Sequence, residues 1–422
     1  MSATPYAILS HVWQQDEVSH VDIREHFEEA KFELGFQKIR KCCEVVRERH
    51  GLGYVWIDTC CIDKRSSAEL SEAINSMFRY YREARRCIIY LRDVNDVKIR
   101  SGSVPAYADA ELFARLSRST WFTRGWTLQE LIAPHDRRFY SCEWTELSRL
   151  YNKHNLLEFQ FLQDHELWLA RVSMISGVPV ELLLHTRKLG SYCIAERMSW
   201  ISRRRTTRPE DLAYCLMGLF DVNMPILYGE GKRHAFHRLQ QEVLRTSFDQ
   251  TIFTWVRHDK PPWNSSGLLA DSPEDFLAIA ELKVRPSVVG TPCIMTNLGI
   301  SLHVRMLPDE ASPIDRVQSP TLAKTGILED LERMSGERHD LNLSFAALQC
   351  ELADESSHIP ALILRRVIGT PFYINGMPCK TYRRLEPRAW TYVSLEDLEG
   401  VPFSEVLVLQ DEQYEQVRDR DT

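Results

Sequence analysis

The residues best suited to chemistry lie together at positions 121–130, which read WFTRGWTLQE. If the end of this segment is helical, Trp126 and Glu130 stand four residues apart and share one face of the helix. A carboxylate packed beside an indole is partly desolvated and held in one rotamer, which suits a catalytic acid or a group that stabilises positive charge. The alternative is that Trp126 belongs to the core and Glu130 pairs with a nearby arginine. The spacing alone does not choose between the two.

A second set of polar residues follows the apolar segments that we expect to be strands. Ligands of an open parallel sheet bind at the carboxyl ends of its strands, so these residues are expected to line one rim of a pocket. Each residue taken alone is explained by the polar groups that any strand needs where it leaves the sheet. The pocket is inferred from all of them together. Its members are Ser10, His11, Trp13, Asp58, Cys61, Asp63, Arg92 and Asp93.

Several motifs of known chemistry are missing from the sequence. It contains no G-x-S-x-G, H-E-x-x-H, G-x-G-x-x-G or G-x-x-x-x-G-K-[ST] segment. The eleven cysteines include no C-x-x-C pair, so no metal site is predicted. We expect reduced and mostly structural thiols.

The elements that would position these residues are visible in the apolar patterning. Strand patterns occupy residues 6–13, 54–58, 87–91 and 138–142. Helical spacing joins Phe36, Ile39, Cys43 and Val46, and again Leu70, Ile74, Met77 and Tyr81 after the caps Ser66 and Ser67. A broken helical stretch covers 111–133. Apolar strands separated by helices predict a parallel sheet covered on both faces.

Three zones follow from the patterning, and we expect each to be a domain or segment of its own. Residues 1–150 form the α/β domain, residues 151–256 a helical segment, and residues 257–422 an antiparallel β-rich domain. Within the second zone, Thr207 is expected to cap a helix and a second helix is expected over 232–246. Within the third, residues 308–340 are expected to leave the sheet, with a short helix near 326–335, and the last ten residues to fray.

Composition excludes several classes of protein. Lys and Arg number 52 against 59 Asp and Glu, a net charge of −7, which argues against a nucleic-acid binder. No apolar run approaches the roughly 18 residues of a membrane span, and no secretory signal is visible. We therefore expect a cytoplasmic protein with neither nucleic acid nor membrane as a partner.

Three segments resemble the blocks of the fungal heterokaryon-incompatibility (HET) domain. They read YAILSHVW at 6–13, WIDTCCIDK at 56–64 and WFTRGWTLQE at 121–130, in the order typical of the family. Downstream, TTRPEDLAYCLMGLFD at 206–221 and MPILYGEG at 224–231 resemble the helical segment that follows this domain in one subfamily. One departure is Gln14, which stands where the family usually has a glycine after the tryptophan.

The resemblance implies a role in fungal non-self recognition and the cell death that follows fusion of incompatible hyphae. HET domains are also considered distant relatives of TIR domains, many of which cleave NAD. Residues 126–131 are similar to the TIR helix that carries the catalytic glutamate, which implies Glu130 as the catalytic residue and NAD as substrate, with no cofactor.

In that interpretation the other site residues bind substrate. Trp126 positions Glu130, Trp13 stacks on a substrate ring, and Arg124 meets a phosphate oxygen or forms a structural ion pair. Ser10, His11, Asp58 and Asp63 form the rim. The expected partners are other copies of the chain or another incompatibility or NLR-type protein. A non-enzymatic self-associating signalling module is the alternative, which the sequence does not separate from the enzyme.

Overall fold

The structure is a computed structural model, and it divides into two compact units that are described separately. The first comprises Met1–Ser191 and Arg203–Gly229, and the second Tyr192–Ser202 and Glu230–Thr422. The described residues are 4–96, 105–150, 164–257, 265–277, 284–286, 290–307, 343–352, 358–367, 372–374, 377–385 and 391–410. The excursion expected at 308–340, its helix at 326–335 and the frayed last ten residues lie outside them.

A four-stranded sheet forms the centre of the first unit. Its strands are β1 (Ala7–His11), β2 (Val55–Trp56), β3 (Arg86–Tyr90) and β4 (Arg137–Tyr140). Their order is β2-β1-β3-β4, and all three pairings are parallel. The fold expected from the sequence, a parallel sheet flanked by helices, is therefore confirmed.

Helices connect these strands and cover the sheet. They are α1 (His20–Glu25), α2 (Phe27–Ala30), α3 (Leu34–His50), α4 (Asp58–Cys61), α5 (Ser67–Glu83), α6 (Pro105–Ser117) and α7 (Thr127–Ile132). A 3-10 turn, Thr120–Thr123, precedes α7. Ser66 caps α5 as expected, because its side chain accepts from the Glu69 amide at 3.2 Å. On α3, Cys42 is buried in place of the expected Cys43, so the face turned to the core differs by one residue.

Further helices follow in the second zone. They are α8 (Asp164–Ser176), α9 (Val180–Leu183), α10 (Ile194–Ser199), α11 (Asp211–Tyr214), α12 (Met217–Phe220) and α13 (Gly231–Thr246). The helix at 232–246 is confirmed, but the helix start at Thr207 was wrong. α11 begins at Asp211, and the Thr207 hydroxyl instead accepts from the Arg124 guanidinium at 2.8 Å. Of these helices, α10 and α13 belong to the second unit.

The second unit is rich in strands. They are β5 (Ser265–Ser266), β6 (Val284–Pro286), β7 (Ile294–Met295), β8 (Gly299–Met306), β9 (Leu343–Ala347), β10 (Cys350–Leu352), β11 (His358–Arg366), β12 (Phe372–Ile374), β13 (Met377–Leu385), β14 (Thr391–Ser394) and β15 (Phe403–Leu409). Pairing runs β13-β15-β8-β9-β11 and returns to β13, a barrel-like closure that leaves these strands few open edges. The expected antiparallel β-rich domain is confirmed, although β13 and β15 pair in parallel.

None of the helices within the described residues has the length and apolar character needed to span a bilayer. Those residues also contain no group of three or more His, Cys, Asp and Glu side chains placed to hold a metal ion.

The packing of α12 on α5 gives a test of the first unit. A Cβ atom on Gly218 would lie 2.1 Å from the Cβ of Phe78, so Gly218→Ala is expected to lower the free energy of unfolding by about 1–3 kcal/mol. Gly53→Ala is the control, because a Cβ there meets nothing within 4 Å. If chemical denaturation shows equal losses of unfolding free energy in Gly218→Ala and Gly53→Ala, this explanation of the packing is wrong.

Candidate functional site

The centre of the site is the carboxyl of Glu130 on α7, which is only 6 % exposed. The hydroxyl of Ser10, on β1, donates to its Oε2 at 2.5 Å. The same hydroxyl oxygen accepts from the indole nitrogen of Trp121 at 2.8 Å. Because the Trp121 N–H can only donate, the proton of Ser10 is left to point at Glu130. The two hydrogen bonds therefore fix the orientation of the carboxyl.

The surroundings of Glu130 favour its neutral form. Burial, followed by the negative charge of Asp58, raises the pKa of Glu130 to about 8, although the hydrogen bond from Ser10, the neighbouring Tyr81 hydroxyl and the charge of Arg204 act against this rise. The carboxyl is consequently protonated in most molecules at neutral pH. A cation placed beside it would favour the ionised form.

Tyr81 and Arg204 are the parts of the site that sequence reasoning missed. The hydroxyl of Tyr81, on α5, donates to the Leu9 carbonyl at 3.1 Å and also contacts Glu130. The buried guanidinium of Arg204 donates to the Arg124 carbonyl and the Thr127 hydroxyl, both at 3.0 Å, and so anchors the start of α7. In the sequence, Tyr81 fits only the apolar spacing of a core residue, and no pattern marks Arg204. Each reaches the site through tertiary contacts.

Trp13 and Asp58 form an exposed rim at the carboxyl ends of β1 and β2. The indole nitrogen of Trp13 donates to Asp58 Oδ2 at 2.7 Å. The ammonium of Lys64 lies 3.6 Å from the centre of the Trp13 ring, a cation–π contact. Trp13 is 49 % exposed, so its ring is accessible from solvent. The structure thus brings these two predicted residues together.

His11 lies at the same strand end but belongs to a different network. Its Nε2 is 3.4 Å from Glu17 and its Nδ1 is 4.0 Å from Asp58. Glu17 also accepts from Lys38 at 2.5 Å. Although burial acts to raise it, the contacts with His11 and Lys38 lower the pKa of Glu17 to about 2. His11 is therefore held between two carboxylates.

The remaining predicted residues have their own partners in the first unit. Asp63 accepts from the Arg65 guanidinium at 3.1 Å, and Arg124 donates to Thr207. The indole nitrogen of Trp126 donates to Asp211 at 3.0 Å, and Asp211 also accepts from Tyr228 at 3.1 Å. The indole that reaches the Glu130 network is thus that of Trp121, in the same sequence block.

The comparisons with known proteins agree with this domain. Residues 6–110 match the model of the heterokaryon incompatibility protein (HET) family, and residues 234–276 match a domain of unknown function, DUF8212. The chain is similar to vegetative incompatibility protein HET-E-1 of Podospora anserina, at 41 % identity over 274 residues. That match covers 64 % of this chain and 18 % of the relative. No solved structure matches the chain.

The fold and the site therefore define a parallel α/β domain with a buried carboxyl below the ends of its central strand. The chain contains a HET domain, and the resemblance seen in its sequence blocks is confirmed.

The raised pKa of Glu130 predicts a pH dependence of stability. Between about pH 4.5 and 8 the folded protein keeps a proton that the unfolded chain loses, so the free energy of unfolding falls as the pH rises through this window. Glu130→Gln removes this dependence, so between pH 4.5 and 8 its free energy of unfolding rises relative to that of the wild type by about 5 kcal/mol. Parallel pH profiles of the two proteins in urea unfolding would contradict the assignment.

The charge of Asp58 supplies a second prediction. Asp58→Asn keeps an acceptor for Trp13 but removes the charge, so the midpoint at which Glu130 ionises is expected to move to lower pH, by about one unit. Asp63→Asn is the matched control, since Asp63 pairs with Arg65. The midpoint is read from the same unfolding experiments, each variant being compared with its Glu130→Gln double mutant. An unmoved midpoint in Asp58→Asn, or an equal shift in both, would refute the coupling.

Proposed function

We propose that this chain acts in heterokaryon incompatibility and promotes cell death by hydrolysing NAD at the nicotinamide–ribose bond. The HET domain and the similarity to vegetative incompatibility protein HET-E-1 of Podospora anserina support the first part. The observation that carries the second is the buried carboxyl of Glu130, oriented by Ser10 and Trp121. We propose that it acts in the cytoplasm through self-association or with another incompatibility or NLR-type protein.

The reaction requires little from the protein besides a positioned negative charge. The bond between ribose C1′ and the nicotinamide nitrogen breaks, and its electron pair goes to that nitrogen, which loses its positive charge. The ribose passes through an oxocarbenium-like transition state, as in glycoside hydrolysis. An ionised Glu130 beside C1′ would stabilise this charge. Water then adds to C1′ and releases one proton, which Glu130 accepts.

The protonation state of Glu130 fits this cycle. The free protein holds a mostly neutral acid at pH 7, since its pKa is about 8. The cationic nicotinamide ring of NAD would favour ionisation on binding, and the proton released by the attacking water would restore the neutral acid. In this scheme kcat/KM rises with pH towards 8, because it follows ionisation of the free protein.

Residues at the rim would hold the rest of the substrate. Trp13 offers an exposed aromatic face, with Asp58 and Lys64 fixing its ring. His11 stands at the same strand end, between Glu17 and Asp58. Arg124 and Trp126 are held by Thr207 and Asp211, so in this proposal they support the start of α7.

The direct test is nicotinamide release from NAD by the purified chain, at low and high protein concentration. The wild type is expected to release nicotinamide, and Glu130→Gln to lose at least a hundredfold in rate while remaining folded. Glu166→Gln is the control, since Glu166 lies on α8 outside the site, and it should retain activity.

Each other outcome has a definite meaning. Equal release by the wild type and Glu130→Gln would refute the role of Glu130. Silence of the folded wild type at every concentration would refute hydrolysis by the chain itself and favour the self-associating signalling module. Cell death that persists in the Glu130→Gln variant would also refute hydrolysis as its cause and favour the signalling module.

A further inference from the structure

A cavity of about 360 Å³ opens beside the site, on the side of the sheet that α3 covers. Its lining includes Val12, Gln14 and Asp16, which follow β1, and Tyr90 and Arg92 at the end of β3. This volume lies in the range of small-molecule sites, about 300–1,000 Å³. The proposed mechanism makes no use of this cavity.

The cavity occupies a special position in the sheet. The chain leaves β1 towards β2 on one side, whereas β3 lies on the other side and continues to β4. The connections therefore diverge at the carboxyl ends of β1 and β3. Ligands of open parallel sheets bind in the crevice that such a divergence creates.

The lining is cationic, although the chain as a whole carries a net charge of −7. Its four cations are Lys38, Arg40, Lys41 and Arg92. They exceed by one charge the three carboxylates that pair with them, Asp16, Glu17 and Glu44. Three of these cations are about half exposed or more, in ion pairs of 3.0 to 3.7 Å with Glu44 or Asp16. Exposed pairs of this kind are weak, so a stronger anion can replace the carboxylate at little cost.

An aromatic pair forms one wall of the cavity. The rings of Tyr90 and Trp144 stack with centroids 4.5 Å apart and planes 20° apart. Trp144 has a φ of 63°, a conformation that bulky side chains rarely adopt. Backbone strain of this kind persists where the surrounding structure imposes it, often at ligand sites. The wall is therefore flat, apolar and fixed.

The first turn of α3 also lines the cavity. A Cβ on Gly35 would lie 2.0 Å from the Asp16 carbonyl oxygen, so only glycine allows this turn to approach the segment after β1 so closely. The side chain of Glu33 makes no capping hydrogen bond to the turn. The positive end of the helix dipole thus adds to the charge of the lining.

We propose that this cavity binds the phosphate groups of a nucleotide-like ligand, with Arg40, Lys41 and Arg92 as the phosphate contacts. The identification of this ligand as the diphosphate of NAD rests on the proposed function. Glu17 connects the two regions, because it contacts both His11 at the rim and Lys38 in the cavity. One bound dinucleotide would extend from the cavity towards Glu130.

The test is direct binding by calorimetry, using ADP-ribose, inorganic pyrophosphate and adenosine with the full chain. We expect ADP-ribose and pyrophosphate to bind and to compete, and the affinity to fall with salt. Arg40→Gln/Lys41→Gln is expected to weaken both by about tenfold or more. The control Arg47→Gln/Arg82→Gln removes the same charge from exposed helix positions outside the cavity and should change affinity less than twofold.

The probes separate the sources of phosphate. A much higher affinity for ADP-ribose than for pyrophosphate supports a nucleotide ligand. The reverse order of affinities supports a free phosphate compound. Failure of both to bind, or equal loss in the cavity and control variants, would overturn the inference. Binding by the wild type that is lost in Arg40→Gln/Lys41→Gln, in a protein that releases no nicotinamide, removes the proposed hydrolysis and leaves the cavity site standing.

Discussion

Burial of one carboxyl is the constraint around which the first unit is arranged. Removing Glu130 from water is costly for its charged form, and the fold meets that cost with a raised pKa and two oriented hydrogen bonds. The partners come from β1 and from the 3-10 turn before α7. A shift of either element would leave a buried polar group unpaired, so the site and the packing stabilise each other.

The two sides of the sheet have different chemistry. Ser10 faces Glu130, and His11, the next residue along β1, contacts Glu17 and the Lys38 network, since successive side chains of a strand point to opposite faces. One side offers a neutral acid that a cation would ionise, and the other offers cations to an anion. Under the proposed function, a dinucleotide with a positive ring and a negative diphosphate would be complementary to both.

The second unit makes a separate β structure in which a ring of paired strands closes on β13. Its buried apolar residues include Leu302, Val304 and Phe345. Leu302 and Val304 alternate with polar residues along β8, a pattern that favours a strand, whereas β15 ends in four consecutive buried residues, Val406–Leu409. The parallel pairing of β13 with β15 was not predictable, since strand direction depends on the path of the intervening chain.

Sequence alone determined most element types and the HET domain, because apolar periodicity and three specific blocks are local properties. It also singled out Glu130, Ser10, Trp13 and Asp58. Only the tertiary structure decided which groups meet: Trp121 and Tyr81 surround Glu130, whereas the indole of Trp126 binds Asp211. The physical reason is that pKa and hydrogen bonding depend on burial and on partners distant along the chain, such as Ser10 and Glu130, 120 positions apart.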